Sequence, residues 1–290
     1  MITLSNKHSF EYMAASGALA FDGKGWPWEQ PLHWVGLLDP SLFTIVIKTL
    51  TRHPRRGNLR WYNPFRCVRF LPQGAVNAVG LTNPGIEWWC KTIGPSVDQK
   101  KLKLVGSILT DGNNEELAEM AAMLNAYDLV GLEVNASCPN TDSQMFGNAE
   151  QVIEGLKKVK EKTRFPLIVK LSVVHDIERL VPRLEGLVEA ISINTVPWSR
   201  MFPEKISPLA RFGGGGVSGK LAQPYTWALV KRLASLTSIP LIGPGVWEYA
   251  DIAKLQNLGA QAISFGSIFL GHPWRPTLYV RKNMKGKSNQ

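Results

Sequence analysis

Residues 131–141 read GLEVNASCPNT, an apolar run that carries a thiol, Cys138, into a polar cluster between Ser137 and Pro139, with Asn135 and Asn140 close by. A free thiol has a pKa of about 8.5 and acts as proton acceptor, nucleophile or metal ligand only as the thiolate. Metal binding is disfavoured, because the chain holds no CxxC and no His/Cys cluster at ligand spacing. Cys67 and Cys90 bring the cysteines to 3, too few for a disulfide framework, so reduced thiols and no metal site are expected. The bland alternative, a small cysteine packed in the core, fits poorly with the polar neighbours of Cys138.

Other apolar runs end in the same way: Lys48 with Thr49, Lys170, Asn194 with Thr195, Gly243, and Gly266 with Ser267. A single asparagine at such a place is as readily a turn residue, but a whole ring of polar ends is harder to dismiss. An ammonium beside a buried sheet is costly unless it meets an anion, so Lys48 and Lys170 ask for an anionic ligand. Three glycine-bearing turns, RFGGGGVSGK (211–220), GPG (243–245) and GS (266–267), offer backbone amides that can approach phosphate oxygens. Together they point to a phosphate-bearing cofactor.

The elements that must position these groups are legible as alternating patterns. Short apolar runs, LFTIVI (42–47), LVGSIL (104–109), LVGLEV (129–134), PLIVKL (166–171), AISIN (190–194), IPLIG (239–243) and AISFG (262–266), alternate with stretches at helical spacing. Those stretches are NNEELAEMAAMLNAY, NAEQVIEGLKKVKEK, DIERLVPRLEGLVE, YTWALVKRLASL and YADIAKLQNLG. Strands apolar on both faces and separated by helices predict a parallel sheet. MAASG near the start makes an eighth strand, and the length of 290 residues suits an α/β fold of the (β/α)₈ barrel type, whose carboxyl strand ends share one face. An open doubly wound sheet competes, but no GxGxxG follows the first strand. We expect one domain over 1–290, closed by a basic tail over 275–290. The segment FDGKGWPWEQPLHW reads as an ordered loop at a rim or partner surface.

A net charge of +10 raises the question of nucleic acid or phosphorylated ligands, but much of it sits in TRHPRRGNLR and RKNMKGKSNQ and fits a solvated surface. No run is long enough to span a membrane, and the amino terminus lacks a basic-then-apolar leader. A cytoplasmic protein is expected.

With these stretches in view, the chain resembles the dihydroorotate dehydrogenases, specifically the soluble class 1 branch with a catalytic cysteine. The resemblance runs from MAASG to about GSIFL through IKTLTRHPRRGN, GAVNAVGLTNPG, LEVNASCPN, FGN, PLIVKLS, INT, GGGGVSG, and IPLIG before LGAQAISFGS. It implies FMN-dependent oxidation of L-dihydroorotate to orotate in pyrimidine biosynthesis, with a hydride passing to flavin N5 and a proton to Cys138 as base. Asn77, Asn135, Asn140 and Asn194 match asparagines that bind the pyrimidine ring, with Thr195 beside them; an amide suits alternating N–H and C=O groups. Lys48 matches a lysine near both substrate carboxylate and flavin, and the amides of Val79, Gly80 and Leu81 would help hold the carboxylate. Lys170 matches a lysine at the flavin N1 and O2 edge, where a cation stabilises reduced FMN. Ala14, Ala15 and Ser16 should lie under the flavin, with Asn135 also close to it. Gly216, Ser218, Gly219, Gly243, Gly245, Gly266 and Ser267 fall at the positions that bind the ribityl phosphate.

Three departures stand out. Val246 replaces the second of paired glycines after the seventh strand, Trp198 and Arg200 follow INT, and Lys220 follows GGGGVSG. By resemblance the protein is a homodimer, and the stretch CPNTDSQMFGN is closer to the branch that works with an iron–sulfur, FAD-bearing subunit than to the fumarate-reducing one. Alternative readings remain: an FMN-dependent dihydropyrimidine or tRNA-dihydrouridine oxidoreductase, or a non-catalytic flavin-binding homologue.

Overall fold

The computed structural model describes residues 1–60, 62–137 and 148–288. Eight parallel strands close into a barrel in chain order: β1 (Tyr12–Ala14), β2 (Thr44–Val46), β3 (Lys103–Ile108), β4 (Gly131–Asn135), β5 (Leu167–Leu171), β6 (Ala190–Ile193), β7 (Leu241–Gly243) and β8 (Ala262–Phe265). The outer layer includes α1 (Ile86–Thr92), α2 (Asn114–Leu124), α3 (Ala149–Lys162), α4 (Gln223–Leu236), α5 (Asp251–Asn257) and α6 (Arg275–Ser288).

Helix starts follow from side-chain caps. The Asn113 carboxamide accepts from the Glu115 and Glu116 amides at the head of α2, and that of Asn148 accepts from Glu150 N–H at the head of α3; each such cap contributes about 1 kcal/mol. Leu117 and Leu124 on α2, with Leu156 and Val159 on α3, are buried against the barrel, each worth roughly 1.5–3 kcal/mol. Gly155 lets these two helices close: a Cβ there would stand 2.7 Å from Asn114 Oδ1. Over 176–189 the helical spacing is realised only as Ile177–Leu180 and a 3₁₀ turn, Val181–Arg183. Pro182 explains the break, since it lacks the amide that would continue the ladder.

Period-two alternation divides the barrel interior into two tiers. Met13, Val46, Val105, Ile168, Ala190, Ile242 and Ala262 form an apolar cluster with Ile2, Leu4 and Phe10 of the amino-terminal hairpin. Two residues further along, the same strand faces carry Ser107, Lys170, Ser192 and Ser264, with Glu133 on β4. A separate four-stranded antiparallel sheet, ordered Val196–Pro197, Gly216–Gly219, Gly74–Asn77 and Val68–Leu71, has its own small core of Val76, Ala78, Leu209 and Val217. The apolar-run pattern did not anticipate this sheet, whose strands are short and glycine-bearing.

Candidate active site

A cavity of about 340 Å³ opens at the carboxyl ends of the strands. It is lined by Ala15 and Ser16 after β1, Lys48 after β2, Asn135 of β4, Lys170 of β5, and Asn194 and Thr195 after β6. The antiparallel sheet and its loop add Asn77, Val79, Gly80, Leu81, Gly216, Ser218 and Gly219, and the last two strands deliver Gly245, Gly266 and Ser267. Residues scattered over most of the chain thus meet in one space. Ala14 and Gly243 stand apart: Ala14 is fully buried in the layer between barrel and helices, and a Cβ on Gly243 would point at Ala260 and Leu255. Cys138 and Asn140 lie outside the described residues.

The Lys170 ammonium meets a protein anion rather than waiting for a ligand, which corrects the expectation drawn from its type. Its Nζ donates to Glu133 Oε1 at 2.6 Å, and both side chains are buried. Glu133 was missed although GLEVN places it two residues before Asn135, on the same strand face. Lys48 is half-buried; its backbone N–H donates to Ala20 O, and its stem passes Gly17, where a Cβ would approach Lys48 Cγ to 3.5 Å.

Asn135 and Asn194 fix the residue preceding Cys138. Asn135 Oδ1 accepts from the N–H and hydroxyl of Ser137, while Asn194 Nδ2 donates to the Ser137 carbonyl and hydroxyl oxygens. The loop carrying Val79, Gly80 and Leu81 turns through two left-handed residues, Gly80 at φ 67° and Leu81 at φ 56°. Such a conformation costs a non-glycine residue about 1 kcal/mol or more. Asn83 braces it, its Nδ2 donating to Leu81 O. Gly57 allows the neighbouring segment to lie against this loop, since a Cβ there would fall 2.6 Å from Gly80 O and 2.7 Å from Val79 O.

At the late turns, two carbonyls are drawn toward α4: Trp227 Nε1 donates to Pro244 O and Gln223 Nε2 to Gly245 O. The amides of Gly245, Val246, Gly266 and Ser267 donate to no protein acceptor among the described residues, and all four residues line the cavity. Unpartnered amides at a strand-end turn fit a phosphate group. Val246 keeps its N–H and is nearly fully buried in the outer core, so this departure from glycine leaves the cradle usable. Beyond it, the buried Asp251 carboxylate accepts the Trp247 and Glu248 amides, and Lys220 pairs with Glu248 at 2.6 Å. Trp198 donates to Lys205 O and packs against Phe202 beside the core of the antiparallel sheet, and Arg200 is exposed. Neither lines the cavity.

The tryptophan-rich loop contributes to the site's rim. Trp26 and Trp28 line the cavity with rings stacked at 5.2 Å, and Trp26 Nε1 donates to Gly17 O. Glu29 is buried beneath them and accepts from Trp26 N–H at 2.8 Å; burial pushes its carboxyl up to about 7. Burial also raises the Cys67 and Cys90 thiols, which suits inert packing residues.

The family model described as dihydroorotate dehydrogenase matches residues 32–278. The chain is 32% identical over 233 residues to the catalytic subunit of dihydroorotate dehydrogenase B (NAD(+)) from Bacillus mycoides, covering 78% of this chain and 74% of that one. To dihydroorotate dehydrogenase A (fumarate) from Lactobacillus delbrueckii subsp. bulgaricus it is 34% identical over 236 residues, covering 78% and 75%. A crystal structure of ligand-free DHODH from Eimeria tenella shares the fold at a TM-score of 0.73 and 14% identity, covering 100% of this chain and 87% of that one.

Proposed function

The chain belongs to the dihydroorotate dehydrogenase family, and from that premise we propose that it oxidises L-dihydroorotate to orotate at the barrel mouth, with FMN as cofactor and Cys138 as base. The observation that carries this reading is one cavity holding Lys170, the Val79–Leu81 loop and the unpartnered amides of the last two strand ends together. FMN, when bound, supplies the hydride acceptor. Gly245, Val246, Gly266 and Ser267 would hold its phosphate through backbone amides, Ala15 and Ser16 would support its ring, and Lys170 would place positive charge at its pyrimidine edge.

The chain's other residues orient substrate and move one proton. Lys48 and the amides of Val79, Gly80 and Leu81 bind a carboxylate, which favours dihydroorotate over an uncarboxylated dihydropyrimidine. Asn77, Asn135, Asn194 and Asn140 present paired donors and acceptors to the ring. The Cys138 thiolate takes the proton, and the hydrogen bonds that Ser137 donates to Asn135 and accepts from Asn194 hold the chain that leads to it. In assembly the protein is a homodimer that passes electrons to an iron–sulfur, FAD-bearing subunit. Its likeness to a relative named as the catalytic subunit of an NAD(+) enzyme supports this; a clean homodimer turning over rapidly with fumarate would refute the subunit.

A visible spectrum of the purified protein, before and after anaerobic L-dihydroorotate, tests the main reading. Yellow protein that bleaches supports it. Yellow protein that bleaches only with dihydrouracil would move the substrate to the uncarboxylated class.

A further inference from the structure

Hydroxyl protons beneath the cavity can be assigned one by one, starting from Glu133. Its carboxylate, 1% exposed, accepts from Lys170 Nζ at 2.6 Å, from Ser107 Oγ at 3.0 Å and from Ser192 Oγ at 3.2 Å. A carboxylate paired with an ammonium only accepts, so the single Ser107 proton is committed to it. The 2.9 Å contact between Ser107 and Thr49 then uses the Thr49 proton. Thr49 Oγ1 is left as an acceptor, and Asn135 Nδ2 donates to it at 3.2 Å. That orients the Asn135 amide, with oxygen toward Ser137 N–H and O–H at 3.2 and 2.7 Å.

We propose that Glu133 is a positioning residue for the redox site. It offsets the charge that Lys170 presents to the cofactor, and through Ser107 and Thr49 it sets the direction of the hydrogen bonds reaching Asn135 and Ser137. This rests on the FMN reading above. A buried carboxylate beside the cofactor's cation disfavours the negative charge of reduced flavin, so Glu133 holds the flavin's reduction potential down. Were Glu133 only a counter-ion that keeps the barrel folded, its replacement would lower the melting temperature and leave the potential where it was.

The test is anaerobic equilibration of the purified holoenzyme with a reference dye at pH 6.5, read by absorbance. In Glu133→Gln the ratio of reduced to oxidised flavin at fixed dye potential rises at least tenfold, about 30 mV for a two-electron couple. Glu133→Asp retains the charge but draws it back from Lys170, and shifts the ratio about threefold in the same direction. In a Lys170→Met background the added Glu133→Gln change moves the ratio less than it does alone. A wild-type ratio in Glu133→Gln, or in Glu133→Asp should the first variant fail to fold, overturns the proposal. Protein that stays colourless with added FMN overturns the cofactor reading and this inference together, whereas yellow protein with unmoved potentials overturns this inference alone.

Discussion

Glu29 gives a pH dependence whose sign and size follow from its position. Its carboxyl is held at about 7 in the folded chain against 4.5 for the free group, with burial as the main cause and the Trp26 N–H hydrogen bond opposing it. The folded state therefore binds this proton more tightly than the unfolded state. Below pH 4.5 both states are protonated and no penalty exists. As pH rises toward 7 the unfolded chain gives up its proton first, and the folded state loses about 3 kcal/mol by the time both are ionised. Glu29→Gln keeps an acceptor for Trp26 and removes the charge. Relative to wild type it should be neutral near pH 4.5 and more stable by about 2–3 kcal/mol at pH 8, the lower figure allowing for relaxation of the loop. At roughly 2 °C per kcal/mol for a chain of this size, the melting temperatures should separate by about 4–6 °C at pH 8. Thermal melts of both proteins across pH 4.5–8 measure this. Parallel curves, or a separation that shrinks as pH rises, would show that the burial argument is wrong.

Two further outcomes follow from the site. The pre-steady-state rate of flavin reduction by dihydroorotate should climb with pH and level off above about 8.5, because Cys138, as the proposed base, would have to lose its proton before accepting one; in Cys138→Ala the reaction should slow at least 100-fold with that profile gone. Gly57→Ala would push a Cβ into the Gly80 and Val79 carbonyls and the Thr82 hydroxyl, displacing the loop proposed to hold the substrate carboxylate. Steady-state kinetics should show KM for dihydroorotate raised about tenfold or more with flavin content preserved, and an unchanged KM would remove this loop from the binding site.

The barrel was legible because its strands are apolar on both faces and its helices carry charge on one, as in PLIVKL beside NAEQVIEGLKKVKEK. The ring of polar strand ends marked the mouth, and Lys48, Asn135, Asn194 and the late glycine turns do meet there. What escaped depends on pairing across the barrel. Lys170 seemed to need a ligand because its partner Glu133 lies on a different strand, brought to it by barrel closure. Asn77 and Gly216 could be assigned to the site by resemblance, but the antiparallel sheet that joins them has strands too short to leave a periodic signal. Trp26 and Trp28 reach the cavity because Gly17 accepts the Trp26 indole proton, a contact between segments whose spacing says nothing about it.

The two-tier interior also decides traffic. Met13, Val46, Val105, Ile168, Ala190, Ile242 and Ala262, backed by Ile2, Leu4 and Phe10, make an apolar floor whose own side chains carry no group able to pass a proton downward. On the proposed reading, substrate, product and the proton removed between them would leave on the mouth side, where Trp26 and Trp28 stand among the described residues. A tight-binding product left on that side would then delay reset of the proposed base as well as entry of the next substrate, coupling turnover to proton exchange with solvent.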